Sequence, residues 1–171
     1  MHDKTFFKMV ALHEAAHAVM ATRVGWEVKQ MVLTGDGRCY ADMRPLWNKK
    51  YSRRADILIT LAGHAAVLRM TQLNPRAFKP LNPYRQILHS LIDGPAGDDL
   101  GVAFKLLAKT GHADSIFVRF QRAMRRADSM LAEPQMWSTV EKVAVRLLRC
   151  RKLTADELEI MFWKVRPPGR A

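Results

Sequence analysis

The chain has 171 residues, 49% of them hydrophobic and 26% charged, with two cysteines and a formal net charge of +12. This composition excludes a disordered tail, a disulfide-stapled scaffold and a multi-cysteine thiolate site, and it allows one domain over residues 1–171 with a core of its own. The positive charge attracts anionic partners at long range but does not name them.

Met1-His2-Asp3-Lys4 leads straight into a helical pattern, so no signal peptide is expected. Phe6, Val10, His13, His17 and Val24 recur at helical spacing, and Gly25 follows where a left-handed residue ends a helix; together they predict a helix from Thr5 to Val24. Val28 to Leu33 and Arg38 to Met43 read as two strands about Thr34-Gly35-Asp36-Gly37, with Cys39, Ala41 and Met43 alternating against Arg38, Tyr40 and Asp42. Ile57, Leu61, His64 and Leu68 form a second helical stripe between Arg53 and Thr71. The most apolar run, Ile57 to Leu68, is too short for a bilayer span, so the expectation is a cytoplasmic protein without a transmembrane segment.

Pro75, Pro80 and Pro83 predict an irregular, mobile stretch before a short helix near Arg85 to Leu91. After the breaker Gly94-Pro95-Ala96-Gly97, Asp98 and Asp99 open a predicted helix reaching Lys109. Further helices are predicted from Ile116 to Leu131, stopping before Pro134, and from Met136 to Cys150; Thr154 and Glu157 spell a capping box for a last one. The fold class is therefore mainly α with a small β-hairpin or sheet (α+β).

The chemistry concentrates in His13-Glu14-Ala15-Ala16-His17. Residues four apart share one helix face, so the two imidazoles converge on a single ion with Glu14 beside it. A catalytic zinc takes three protein ligands and keeps a position for water, whose pKa it lowers to about 7. Glu14 is the candidate general base, accepting the proton of that water as a peptide carbonyl is attacked. A metzincin pattern would need glycine at position 20 and histidine at position 23, where this chain has Met20 and Arg23.

The order His13-Glu14-Ala15-Ala16-His17-Ala18, then Leu61-Ala62-Gly63-His64-Ala65-Ala66, then Pro95-Ala96-Gly97-Asp98-Asp99-Leu100 resembles the peptidase domain of the FtsH-type membrane AAA zinc metalloproteases. The likeness covers roughly residues 10 to 160 and is most specific in the first and third motifs. It implies a zincin-like fold, a Zn2+ cofactor and Asp99 as the third metal ligand after His13 and His17. Asp98 stands where that family has asparagine; the match at Leu100 favours Asp99 as ligand, with Asp98 capping the helix. Ala16 replaces a glycine of the family, and Val67 replaces a glutamate, which removes a carboxylate from the second helix. No G-x-x-x-x-G-K-[ST] sequence is present, so the expectation is a free-standing peptidase without an ATPase module, acting on unfolded polypeptide and served by a separate ATPase or unfoldase.

Other features have plainer readings. Arg44, Lys49, Lys50, Arg53 and Arg54 around Trp47 and Tyr51 could grip nucleic acid, but no nucleic-acid motif frames them and a solvated loop accounts for them. Arg146, Arg149, Arg151 and Lys152 complement a helix end. His64 reads as a packed or supporting histidine rather than a ligand, His2, His89 and His112 as surface residues, and the methionines and four tryptophans as packing. Two other functions fit the same motifs: a non-catalytic binding or regulatory protein that keeps the fold, and a metal-dependent hydrolase of a non-peptide substrate.

Overall fold

The computed structural model describes residues 4–46, 52–71, 99–109 and 116–166. Among these residues the chain is mainly helical, with six helices and one small antiparallel sheet. In order they are α1 (Lys4–Val24), β1 (Trp26–Leu33), β2 (Cys39–Pro45), α2 (Arg53–Met70), α3 (Asp99–Ala108), α4 (Ile116–Leu131), α5 (Pro134–Cys150), β3 (Lys152–Thr154) and α6 (Ala155–Phe162).

Helix α1 is the central element: every residue from Val10 to Thr22 except Glu14 is buried, against α2 on one side and α5 on another. Alanines at 11, 15, 16, 18 and 21 keep its girth small, so neighbouring backbones approach closely. Gly25, at φ 91°, ends the helix in the left-handed region and hands the chain to β1. Strands β1 and β2 pair from Trp26 opposite Pro45 to Leu33 opposite Cys39, with Lys29 as an extra residue between Val28 and Gln30. The alternation read from the sequence holds in β2: Cys39, Ala41 and Met43 are partly covered, whereas Tyr40, Asp42 and Arg44 are exposed.

The structure also adds a strand. β3 pairs antiparallel with β1, Val32 opposite Lys152 to Gln30 opposite Thr154, giving the order β2-β1-β3 and leaving β2 at an edge. Three residues are too few to carry a period-two signal, so the sequence reads this segment only as the join between two helices. Arg151 makes that join, in the left-handed conformation at φ 62°. Its N–H caps α5 at the Leu147 carbonyl, its carbonyl accepts from Leu33 N–H at 2.7 Å, and its guanidinium lies 4.9 Å from the centre of the Phe7 ring. The capping box forms as expected, with the Thr154 hydroxyl accepting from Glu157 N–H and the Glu157 carboxylate from Thr154 N–H.

Several boundaries are corrected. Pro134 opens α5 at its first turn instead of merely separating two helices, because a missing N–H costs nothing there. The strands run Trp26–Leu33 and Cys39–Pro45, the first beginning and the second ending two residues beyond the sequence reading. Trp163 is 66% exposed with Lys164 over its ring, so it is not a packing residue. The stretch predicted as mobile, the short helix near Arg85 to Leu91, Asp98, and Trp47 to Tyr51 of the basic cluster lie outside the described residues. No helix among the described residues is long and apolar enough to cross a membrane.

Candidate metal centre

Three elements far apart in sequence meet at one point. Helix α1 supplies His13 and His17 on the face turned towards α2, both buried. Helix α3 supplies Asp99 from its first residue, where the helix dipole favours a carboxylate. Leu100, Ala103 and Leu107 anchor α3 in the core, Phe104 stacks on Phe120 of α4 at 4.7 Å, and Arg53 and Arg119 donate to the Lys109 and Leu107 carbonyls at its far end. Those contacts fix where Asp99 points.

The distances are short and mutual. His13 Nε2 and His17 Nε2 are 2.8 Å apart, and each is 3.0 Å from Asp99 Oδ2. On the other side of its ring, His17 Nδ1 donates to the Ile59 carbonyl at 2.6 Å, which sets the tautomer and leaves a lone pair on Nε2 of the neutral ring. His13 Nδ1 is buried without a partner among the described residues. A ring nitrogen carries either a proton or a lone pair, and ionised Asp99 only accepts. At least one of the three contacts therefore always sets two lone pairs or two protons against each other. A cation among the three atoms removes that conflict, and two imidazoles with a carboxylate are a donor set that suits zinc.

The space beside the donors is kept clear. A Cβ on Gly63 of α2 would lie 2.5 Å from His17 Nε2 and 2.6 Å from His13 Nε2, so only glycine lets α2 come this close. The alanine-lined meeting of α1 and α2 and this glycine together form a cradle into which the ring nitrogens point.

Electrostatics follow from burial and crowding. Burial, with the nearby His17, lowers the His13 pKa to about 4, against the pull of Asp99. Burial also works against a charged His17, but the Asp99 hydrogen bond, the Glu14 and Asp99 charges and the Ile59 carbonyl outweigh it and raise the ring to about 9. For Asp99, burial raises the pKa, yet the bonds and charges of both histidines hold it well below the usual carboxylate range. Glu14 lies beside the trio, and burial lifts its carboxyl to about 7, with His17 pulling down and Asp99 pushing up. Cys39, at the start of β2, is held protonated by burial and by the Glu14 charge, and β2 as a whole packs against α1.

All four residues singled out from the sequence thus lie together: His13, His17 and Asp99 in mutual contact, Glu14 at their side. His13, Glu14 and His17 also offer ligand atoms within 4.8 Å of one another. What the sequence reading undervalued is His64, which is fully buried with its ring 5.1 Å from that of His13. Burial, with His13 and His17, lowers its pKa to about 3. Its position one residue after Gly63, in a stripe otherwise free of polar side chains, was the only signal available.

Neither the protein-family models nor the curated proteins contain a match to this chain.

Proposed function

We propose that this chain is a zinc-dependent metalloendopeptidase with a zincin-like fold, acting on unfolded polypeptides or peptides. The observation that supports this most is the unsatisfiable contact of His13 Nε2, His17 Nε2 and Asp99 Oδ2, all within 2.8–3.0 Å, with the carboxyl of Glu14 alongside. His13, His17 and Asp99 are the residues to hold the ion. Bound there, zinc supplies a water of pKa about 7 and positive charge for a developing oxyanion.

The remaining work belongs to the protein. Glu14, its carboxyl buried beside the trio, can take a proton from water and return it to the leaving amine. The Ile59 carbonyl holds the His17 ring in place through Nδ1. β2 offers a sheet edge packed against α1, so an extended substrate pairing along Cys39–Pro45 would run beside the helix that carries Glu14. These 171 residues carry no G-x-x-x-x-G-K-[ST] sequence, so the activity proposed for them is hydrolysis alone and not the ATP-driven unfolding of folded substrates.

The test is to give zinc-loaded protein an unfolded polypeptide and a stable domain of matched sequence, beside Glu14→Gln. The wild type should cut only the unfolded substrate, and the variant should lose about 10²–10⁴-fold in rate while keeping its zinc, as expected on removal of a general base. Equal cleavage by Glu14→Gln, or no cleavage of any peptide despite full zinc occupancy, would overturn the proposal.

A further inference from the structure

We propose that His64 is a fourth donor to the metal centre, alternating with water at the position that His13, His17 and Asp99 leave open. This rests on reading that trio as a metal site and adds a closed resting state to it.

His64 lies on α2, 1% exposed, and neither ring nitrogen has a hydrogen-bond partner among the described residues. A buried imidazole kept for packing normally gives its N–H to a carbonyl, as His17 does to Ile59. His64 does not, and a leucine or methionine would fill comparable space without leaving polar atoms unpaired. One of its ring nitrogens is instead close to two of the three proposed ligands: ligand atoms of His13, His64 and Asp99 all lie within 4.8 Å of one another. Gly63, its neighbour in the chain, is the residue whose missing side chain lets α2 press against both Nε2 atoms. A buried, unpaired donor has therefore been brought to the edge of a cluster of lone pairs.

The spacing says how such a donor behaves. Two nitrogens on one zinc stand no farther apart than about 4.2 Å, twice a bond of about 2.1 Å. Ligand atoms of His13, His64 and Asp99 that lie within 4.8 Å of one another are therefore at most a small side-chain movement from sharing an ion. With four protein donors the centre is of the closed type that holds metal without activating water; with His64 released, the position beside Glu14 is open. His64 then strengthens metal binding and restrains hydrolysis at once, two effects of opposite sign that a packing role does not produce.

X-ray absorption at the zinc edge of the full, zinc-loaded chain without substrate should show three imidazoles in the first coordination sphere. His64→Ala and the volume-filling His64→Leu should each show two, bind Zn2+ at least about tenfold more weakly, since even residues supporting a ligand are worth 10–100-fold, and cleave an unfolded peptide faster at saturating zinc. The wild-type measurement stands even if a variant misfolds. Two imidazoles in the wild type would overturn the role of His64 while leaving the trio intact. No zinc binding by the wild type would overturn both.

Discussion

The buried residues of α1 and α2 include many small ones, Ala15, Ala16, Ala62, Gly63, Ala65 and Ala66 among them, and three histidines. Those of α4, α5 and α6 include large apolar ones, Phe120, Met124, Leu131, Met136, Leu147, Leu158 and Phe162. The second region stabilises the fold in the ordinary way, each buried side chain contributing about 1.5–3 kcal/mol relative to exposure. The first gives up apolar volume so that helices can come close enough for ring nitrogens to touch, and it buries polar atoms without partners. Stability and chemistry thus draw on different residues of one continuous core.

If that division is right, substitutions should separate folding from metal binding. Leu131→Ala, at a fully buried position, should cost about 2–5 kcal/mol in denaturant unfolding and leave zinc bound per folded molecule unchanged. Gly63→Ala should do the reverse. Overpacking there costs about 1–3 kcal/mol, but the added methyl displaces the two ring nitrogens, so zinc titration should show the larger loss. Comparable loss of zinc in both variants would erase the distinction between the regions.

The two regions were also unequally legible in the sequence. Helices α4 and α5 were readable because their large apolar residues recur with the helical period, and α6 because Thr154 and Glu157 spell its cap. At the metal centre, His13 and His17 were readable because four residues on a helix is a fixed distance. Asp99 was not derivable that way, since it reaches His13 across 86 positions and only the resemblance pointed to it. β3 is too short to show a period, and nothing local in the sequence reveals that Gly63 faces ring nitrogens or that His64 lacks partners. Those facts exist only once α1 and α2 are packed together.

A smaller effect marks the apolar region. Thr154→Ala should cost about 1 kcal/mol by removing the cap of α6, without altering zinc binding. The Glu157 carboxylate has a folded pKa lowered by the Thr154 N–H, with Arg146 assisting. Its contribution is therefore present above its unfolded value and lost as pH falls through the lowered folded value. Unfolding at a series of acidic pH values should show Glu157→Gln approaching the wild type as pH drops. A difference that stays constant to the lowest pH would remove the charge from the account of this cap.

The central claim, that His13, His17 and Asp99 form a zinc site, is tested most directly by anomalous diffraction at the zinc edge from crystals grown with zinc. The account predicts one strong peak in contact with His13 Nε2, His17 Nε2 and an Asp99 carboxylate oxygen. An ordered zinc held without His13 and His17, or no zinc at these residues after supplementation, would contradict it; a peak bound by Asp98 in place of Asp99 would correct only the third ligand.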